Sequence, residues 1–298
     1  MRQGERRSCL ASLCHTLPHL DTLRGAHDID HIVKLRATSD SRQTYGTQAL
    51  ARAFAILRVF TDAVPEMGLA DVSREVGLTK TTAFRILSAL EREGMVTRYR
   101  PSGAYRLGPR AIELGALAQR SNSLQRAAHA ELVELARITG ETTSLEILIG
   151  ADVLVLDEVQ GRHKLSPAPI VGSRWPAHAT STGKVLLAAL GDSRPMHRLV
   201  RLTPQTITNQ QRLTAELAGV LKRGWAAAVE ELEAGYVALG APVRNHDAQV
   251  VAAMSVGGPA VRFGPGERAR LSRVVCEAAD RVSRTLGAGG RSAPFGGL

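Results

Sequence analysis

LADVSREVGLTKTTAFRILSALEREGMVTRYR, residues 69–100, is the stretch whose reading decides the fold. Leu69, Val72 and Val76 form a short apolar stripe that stops at Gly77. Thr79 then stands where an N-cap belongs, and the following residues run at helical period to Gly94, with Ala83, Ile86, Leu87 and Leu90 on the apolar face. Gly77 lies between the two helices, where a sharp turn needs a left-handed residue. Upstream, QALARAFAILRVF (48–60) places Leu50, Ala53, Phe54, Leu57 and Phe60 at helical spacing, and Pro65 follows as a breaker. Downstream, MVTRYR and AYRLG read as two short strands about Pro101-Ser102-Gly103.

Three helices and a basic hairpin make a winged helix-turn-helix. Its recognition helix, capped by Thr79, offers Lys80, Thr81, Thr82 and Arg85 at the end that meets base edges in the major groove. Arg98, Arg100, Tyr105 and Arg106 place charge and donors on the wing, near phosphates or a minor groove. From Lys80 to Arg106 the bases Lys80, Arg85, Arg92, Arg98, Arg100 and Arg106 are opposed only by Glu91 and Glu93. The competing reading is a plain three-helix bundle with a solvated basic face. Wing, charge and turn together favour double-stranded DNA.

The whole chain agrees. Its 298 residues favour two domains, and 38 Lys and Arg against 28 Asp and Glu give a net charge of +10, which suits a polyanionic partner. No apolar run approaches the ~18 residues of a membrane span, so the expectation is a cytoplasmic protein with no membrane partner. Cys9, Cys14 and Cys276 are too few and odd for a disulfide framework. Cys9, Cys14 and His15 lack further residues to complete a ligand set, so neither a metal nor a cofactor is expected. Residues 1–46 show no sustained period and read as a disordered extension, residues 47–108 as the DNA-binding domain and 109–123 as a linker helix.

From 124 to 287 the pattern changes, and a flexible tail covers 288–298. A helix to about Thr139 precedes TSLEILIG and ADVLVLDEVQ, which alternate around Gly150 as a hairpin would. Two helices, GKVLLAALG and NQQRLTAELAGVLKRG, follow a loop. WAAAVEE, YVALGAPV and QVVAAMSVGG are candidate strands, and PGERARLSRVVCEAADRVSRTLG closes as a helix. Antiparallel strands flanked by helices make an α+β domain.

Within it, HATSTGKVLLAAL sets Thr180, Ser181 and Thr182 directly before a helix. Unpaired N–H groups and added hydroxyls there suit a small carboxylate. The plainer reading, that Ser181 or Thr182 only caps the helix, stays open, as does a loop-fixing rather than a ligand-contacting His178. Ser181-Thr182-Gly183-Lys184 also spells S-x-x-K, so a serine acyl-transferring enzyme using Ser181 and Lys184 is the alternative function. The S-D-N and K-T-G partner elements are missing, so no enzyme is expected.

The runs QALARAFAILRVF, LADVSREVGLTKTTAFRILSALEREGMV and YRLG, continued by WPAHATSTGK, GYVALGAPVRN and VVAAMSVGGP, resemble the IclR family of bacterial transcriptional regulators over about residues 46–287. The resemblance implies a GAF-like effector-binding domain, homodimers that often pair into homotetramers, and DNA sites of dyad symmetry. It implies a pocket lined by Gly183, Tyr236, Ala238, Ser255 and Gly257. The chain departs from the pattern in three places. The Asp often found before the paired Glu residues is absent ahead of Glu230–Glu231. Ala238 stands where some members have Cys, and Gly257 where some have a second Ser.

Overall fold

The computed structural model describes residues 47–61, 64–99, 101–162, 171–194 and 198–289. Expectations placed on the extension 1–46, on Arg100 and on most of the tail lie outside the described residues. The chain divides at Asn122/Ser123 into two compact units.

The first unit runs α1 (Gln48–Leu57), α2 (Leu69–Glu75), α3 (Lys80–Arg92), β1 (Val96–Arg98), β2 (Tyr105–Leu107) and α4 (Pro109–Ser121). β1 and β2 pair antiparallel, Val96 opposite Leu107 and Arg98 opposite Tyr105. Met67 adds a single bridge on the other side of Tyr105. Ile56, Phe60, Val72, Leu87, Val96 and Tyr105 form the core, each large apolar side chain contributing about 1.5–3 kcal/mol by leaving water. The sequence treated α1 as one apolar stripe. The structure buries its C-terminal part and leaves Leu50 58% and Phe54 51% exposed, because the three-helix core closes around Ile56 and Phe60. α4, expected as a linker, clusters with this unit and packs on β1. Its Ile112, Leu114 and Leu117 are exposed.

The second unit runs α5 (Ser123–Thr139), β3 (Thr142–Ile149), β4 (Asp152–Val159), β5 (Arg174–Pro176), α6 (Ser181–Ala189), α7 (Gln210–Arg223), β6 (Ala226–Val229), β7 (Tyr236–Arg244), β8 (Val250–Pro259) and α8 (Pro265–Thr285). The strands form one antiparallel sheet in the order β5-β4-β3-β8-β7-β6. Alternation divides the side chains between two faces. Leu145, Ile147, Val237, Leu239, Ala241, Val243, Met254 and Val256 pack on α5 and α8. Leu148, Val153 and Ala253 face α6 and α7 with Val185, Leu186, Leu213 and Leu217. α6 meets the sheet at Gly240, where a Cβ would lie 2.9 Å from the Ser181 carbonyl carbon. That close approach brings the start of α6 down onto the sheet, and the chemistry of the unit gathers there.

Candidate functional site

The helix-turn-helix offers a surface. Gly77 takes φ of 66°, and the Ser73 hydroxyl donates to the Leu78 carbonyl at 2.6 Å, pinning the turn. Thr79 caps α3 by accepting from the Thr82 N–H at 3.3 Å, and the two hydroxyls lie 2.9 Å apart. Thr82 is therefore partly committed to the cap. Lys80, Thr81 and Arg85 stand exposed on the opening turns as the sequence implied. Phe84, 47% exposed beside them, was missed; its signal was its place off the apolar stripe.

On the wing, Arg98 donates from Nε to the Gly103 carbonyl at 3.2 Å and lies 5.4 Å from the Tyr105 ring centroid. Arg106 sits 5.3 Å from the Tyr99 ring centroid, with Glu66 3.8 Å away. Tyr105 is a correction. Expected among the surface donors, it is 1% exposed in the core, because Met67 and Arg98 close over it from both strands. Tyr99 is the exposed wing tyrosine instead.

The second unit encloses a cavity of about 800 Å³. Its floor is the α6-facing side of the sheet and its wall is the start of α6, closed by residues 232–235. Five of the eight residues expected there line it: Thr180, Ser181, Tyr236, Ala238 and Ser255. The other three do not. His178 is wholly buried, with Nε2 3.0 Å from the Val200 carbonyl, and fixes a loop. Gly183 packs on the preceding turn, where a Cβ would lie 2.1 Å from the Ala177 oxygen. Gly257 acts by leaving space, since a Cβ there would lie 2.2 Å from the Tyr236 hydroxyl. The tyrosine thus occupies the room that a serine at 257 would need.

Thr180 caps α6 by accepting from the Gly183 N–H at 3.0 Å. The cap leaves the N–H groups of Ser181 and Thr182 without an acceptor inside the helix. Lys184 is 1% exposed, and its ammonium is held by Glu231 at 2.5 Å and by the Ala227 carbonyl at 2.9 Å. It is committed to that ion pair, so the S-x-x-K reading loses its base. The pair also anchors the closing segment, with Thr203 and Thr206 donating to the Glu230 and Glu231 carbonyls.

The sequence reading missed Glu146, although a lone Glu inside an apolar strand was its signal. It lines the cavity at a register shift between β3 and β4, the kind of irregularity that re-aims a side chain. Its Oε1 accepts from Ser144 at 2.7 Å, and Ser144 lies 2.7 Å from Ser255. Its Oε2 accepts from the Thr182 hydroxyl of α6. Burial raises this carboxyl above the usual range, against the pull of both hydroxyls. Burial, with Glu146 and Glu158 nearby, likewise raises the Tyr236 phenol. Glu158 and Glu233 add carboxyls to the lining. The lining's Arg174 binds Asp152 at 3.1 Å and the Ile149 carbonyl at 2.8 Å.

Comparison with known proteins bears on both units. Residues 117–284 match the family model described as "Bacterial transcriptional regulator IclR C-terminal", and 49–99 match "IclR helix-turn-helix domain". The chain is 32% identical over 245 residues to the HTH-type transcriptional regulator XynR of Escherichia coli, covering 80% of this chain and 97% of that protein. It is 35% identical over 233 residues to the HTH-type transcriptional regulator Rv1719 of Mycobacterium tuberculosis, covering 77% and 89%. Among solved structures it is similar to an IclR homolog from Microbacterium hydrocarbonoxydans complexed with 4-hydroxybenzoate, with 28% identity, a TM-score of 0.67, and coverage of 80% and 99%. These relatives are regulators rather than enzymes.

Proposed function

The chain belongs to the IclR family of bacterial transcriptional regulators, and from that premise we propose that it binds a dyad-symmetric operator as a homodimer or homotetramer and releases or tightens on it when a small organic acid enters the cavity. The observation that carries the sensing half is the cavity itself. About 800 Å³ is the size of an ordinary small-molecule site, and hydroxyls of Ser181, Tyr236 and Ser255 converge on it with the start of α6. The Microbacterium homolog holds 4-hydroxybenzoate, which makes that hydroxy acid a reasonable first probe.

The DNA-reading half rests on α3 and the wing. Lys80, Thr81, Thr82, Phe84 and Arg85 are the base-facing candidates, and Thr79 orders them. Arg98, Arg106 and Tyr99 serve the backbone. Exposed Leu50 and Phe54 on α1, and Ile112 and Leu117 on α4, support self-association, since one such module buries too little surface for tight specific binding. A DNA partner supports a cytoplasmic location.

The test is calorimetric titration with 4-hydroxybenzoate and related acids, with and without a DNA fragment from the gene's own neighbourhood that the protein retards. Linkage requires the acid to change operator affinity and the operator to change acid affinity by the same factor, about 5- to 150-fold. Equal acid affinity in both titrations removes the sensing claim and leaves the DNA-binding claim standing.

A further inference from the structure

The cavity presents a difficulty for the ligand just proposed, and the resolution points to one residue. A carboxylate held by the Ser181 and Thr182 N–H groups would lie beside Glu146, whose Oε2 already accepts from the Thr182 hydroxyl. Two carboxylates that share one donor group in a site removed from water repel strongly. Among the described residues, no unpaired cation within the lining offsets this. Arg174 is bound to Asp152 and Ile149, Lys184 belongs to Glu231, and Glu158 and Glu233 add to the negative field. From the elements packed around Glu146, the titratable neighbours are Glu158 on β4 and Tyr236 on β7. β8 presents Ser255 and Ala253, and α6 presents Thr182.

Resting on the organic-acid reading above, we propose that Glu146 is a ligand-recognition residue of the cavity and that it admits an organic anion only while it is itself a neutral carboxylic acid, so that at any pH where Glu146 is ionised the anion is taken up with one proton from solvent. The hydroxyl chain Thr182–Glu146–Ser144–Ser255 supplies the mechanism. With Glu146 ionised, Thr182 and Ser144 both point their hydrogens at it, and this hydroxyl chain offers a ligand only acceptors. With Glu146 protonated, its own hydrogen can be donated to one of these oxygens. That hydroxyl then turns its hydrogen into the cavity, toward the anion. The proton remains on Glu146 and the ligand stays anionic. Burial of the carboxyl favours the same state. The ligand class follows: a small monocarboxylic acid, without a second anionic group to meet Glu158 or Glu233.

Two measurements on the full chain test this. Infrared difference spectra of wild type against Glu146→Gln, across a pH titration, follow the protonation of this carboxyl without any ligand. The expected result is an acid carbonyl band that persists above the ordinary Glu value of about 4.3; a band gone by that pH overturns the proposal. Calorimetry then follows 4-hydroxybenzoate and 4-hydroxybenzamide in buffers of unequal ionisation enthalpy. Above the Glu146 midpoint wild type should take up close to one proton with the acid, with affinity falling up to about tenfold per pH unit; below it, where the carboxyl is already protonated, both effects should vanish. Glu146→Gln, a mimic of the neutral acid, should bind it with flat pH dependence. Acid binding without proton uptake and without pH dependence above the infrared midpoint of Glu146 in wild type overturns the coupling while sparing the organic-acid reading. Binding of the amide alone overturns both. If neither compound binds, 4-hydroxybenzoate is the wrong acid, and the infrared titration still decides the state of Glu146.

Discussion

The starts of α3 and α6 are built from nearly the same residues and meet opposite surroundings. Thr79-Lys80-Thr81-Thr82 and Thr180-Ser181-Thr182-Gly183-Lys184 each open with a threonine that accepts from the N–H three residues on. In the first, the lysine and the Thr81 hydroxyl stand in water. In the second, every residue from Ser181 to Lys184 is buried, and the Thr182 hydroxyl and the Lys184 ammonium answer to other parts of the fold. A capping motif therefore specifies a helix start. Whether that start reads a partner or encloses one is settled by what lies over it.

The largest expected contrast is between the two lysines. Lys184→Ala strips the counter-charge from Glu231, already raised by burial, and should cost about 3–5 kcal/mol of stability. Lys80→Ala should stay within about 0.5 kcal/mol. Denaturant unfolding measures both. The Lys184→Ala deficit should shrink toward acid pH, where Glu231 takes up a proton. Equal and small losses at the two sites would break the comparison.

Next come the base-reading contacts. Arg85→Ala should cost about 1–3 kcal/mol of operator affinity and relax preference at one position, without affecting folding. Competition binding against single-base operator variants reads this, and unchanged preference removes Arg85 from readout. The caps sharpen the contrast further. Thr79→Ala and Thr180→Ala each lose an N-cap, typically about 0.5–2 kcal/mol. The Thr180 loss belongs at the upper end because the Gly183 N–H is left buried without its acceptor. A larger loss at Thr79 in thermal unfolding would contradict it.

Glu146→Gln is expected to act through pH. The folded protein holds this carboxyl above its unfolded value. Stability credited to the acid form is complete below the unfolded pKa and lost as pH rises through the folded one. The variant should therefore gain on wild type across that window, by at most about 1.4 kcal/mol per unit separating the two values. A constant difference at all pH values in parallel melts refutes it. The smallest effect falls on the wing, where Arg106→Ala should weaken binding to all sequences alike and lower the salt slope by about one. A loss confined to one operator would mean base readout.

Much of the first unit was legible because its signals are local. Gly77, the Thr79 cap and the turn at Gly103 are read within a few residues, and they put Lys80, Thr81 and Arg85 on the exposed opening turns of α3, where the structure has them. Tyr105 was misread because its burial depends on Met67, 38 positions upstream across a bridge. In the second unit, the helix start at Thr180 and the small strand residue Ser255 were legible. His178 and Gly183 belong to the right segment but face away from the cavity, since side-chain direction at a tight turn depends on what packs behind it.

The sequence by itself determined roughly where the helices begin, every strand but β5, which read as part of a loop, that the N-terminal unit carries a basic helix-turn-helix, and that the chain resembles one regulator family. Caps and periods act between residues three or four apart, so the order of residues contains them. Only the tertiary structure decided that Lys184 is a partner of Glu231, 47 positions away, and that Thr182 meets Glu146 across 36. Those pairings set the charge and donor pattern of the cavity. No local rule contains them, because a polar group taken from water must be answered by whichever group the fold brings beside it.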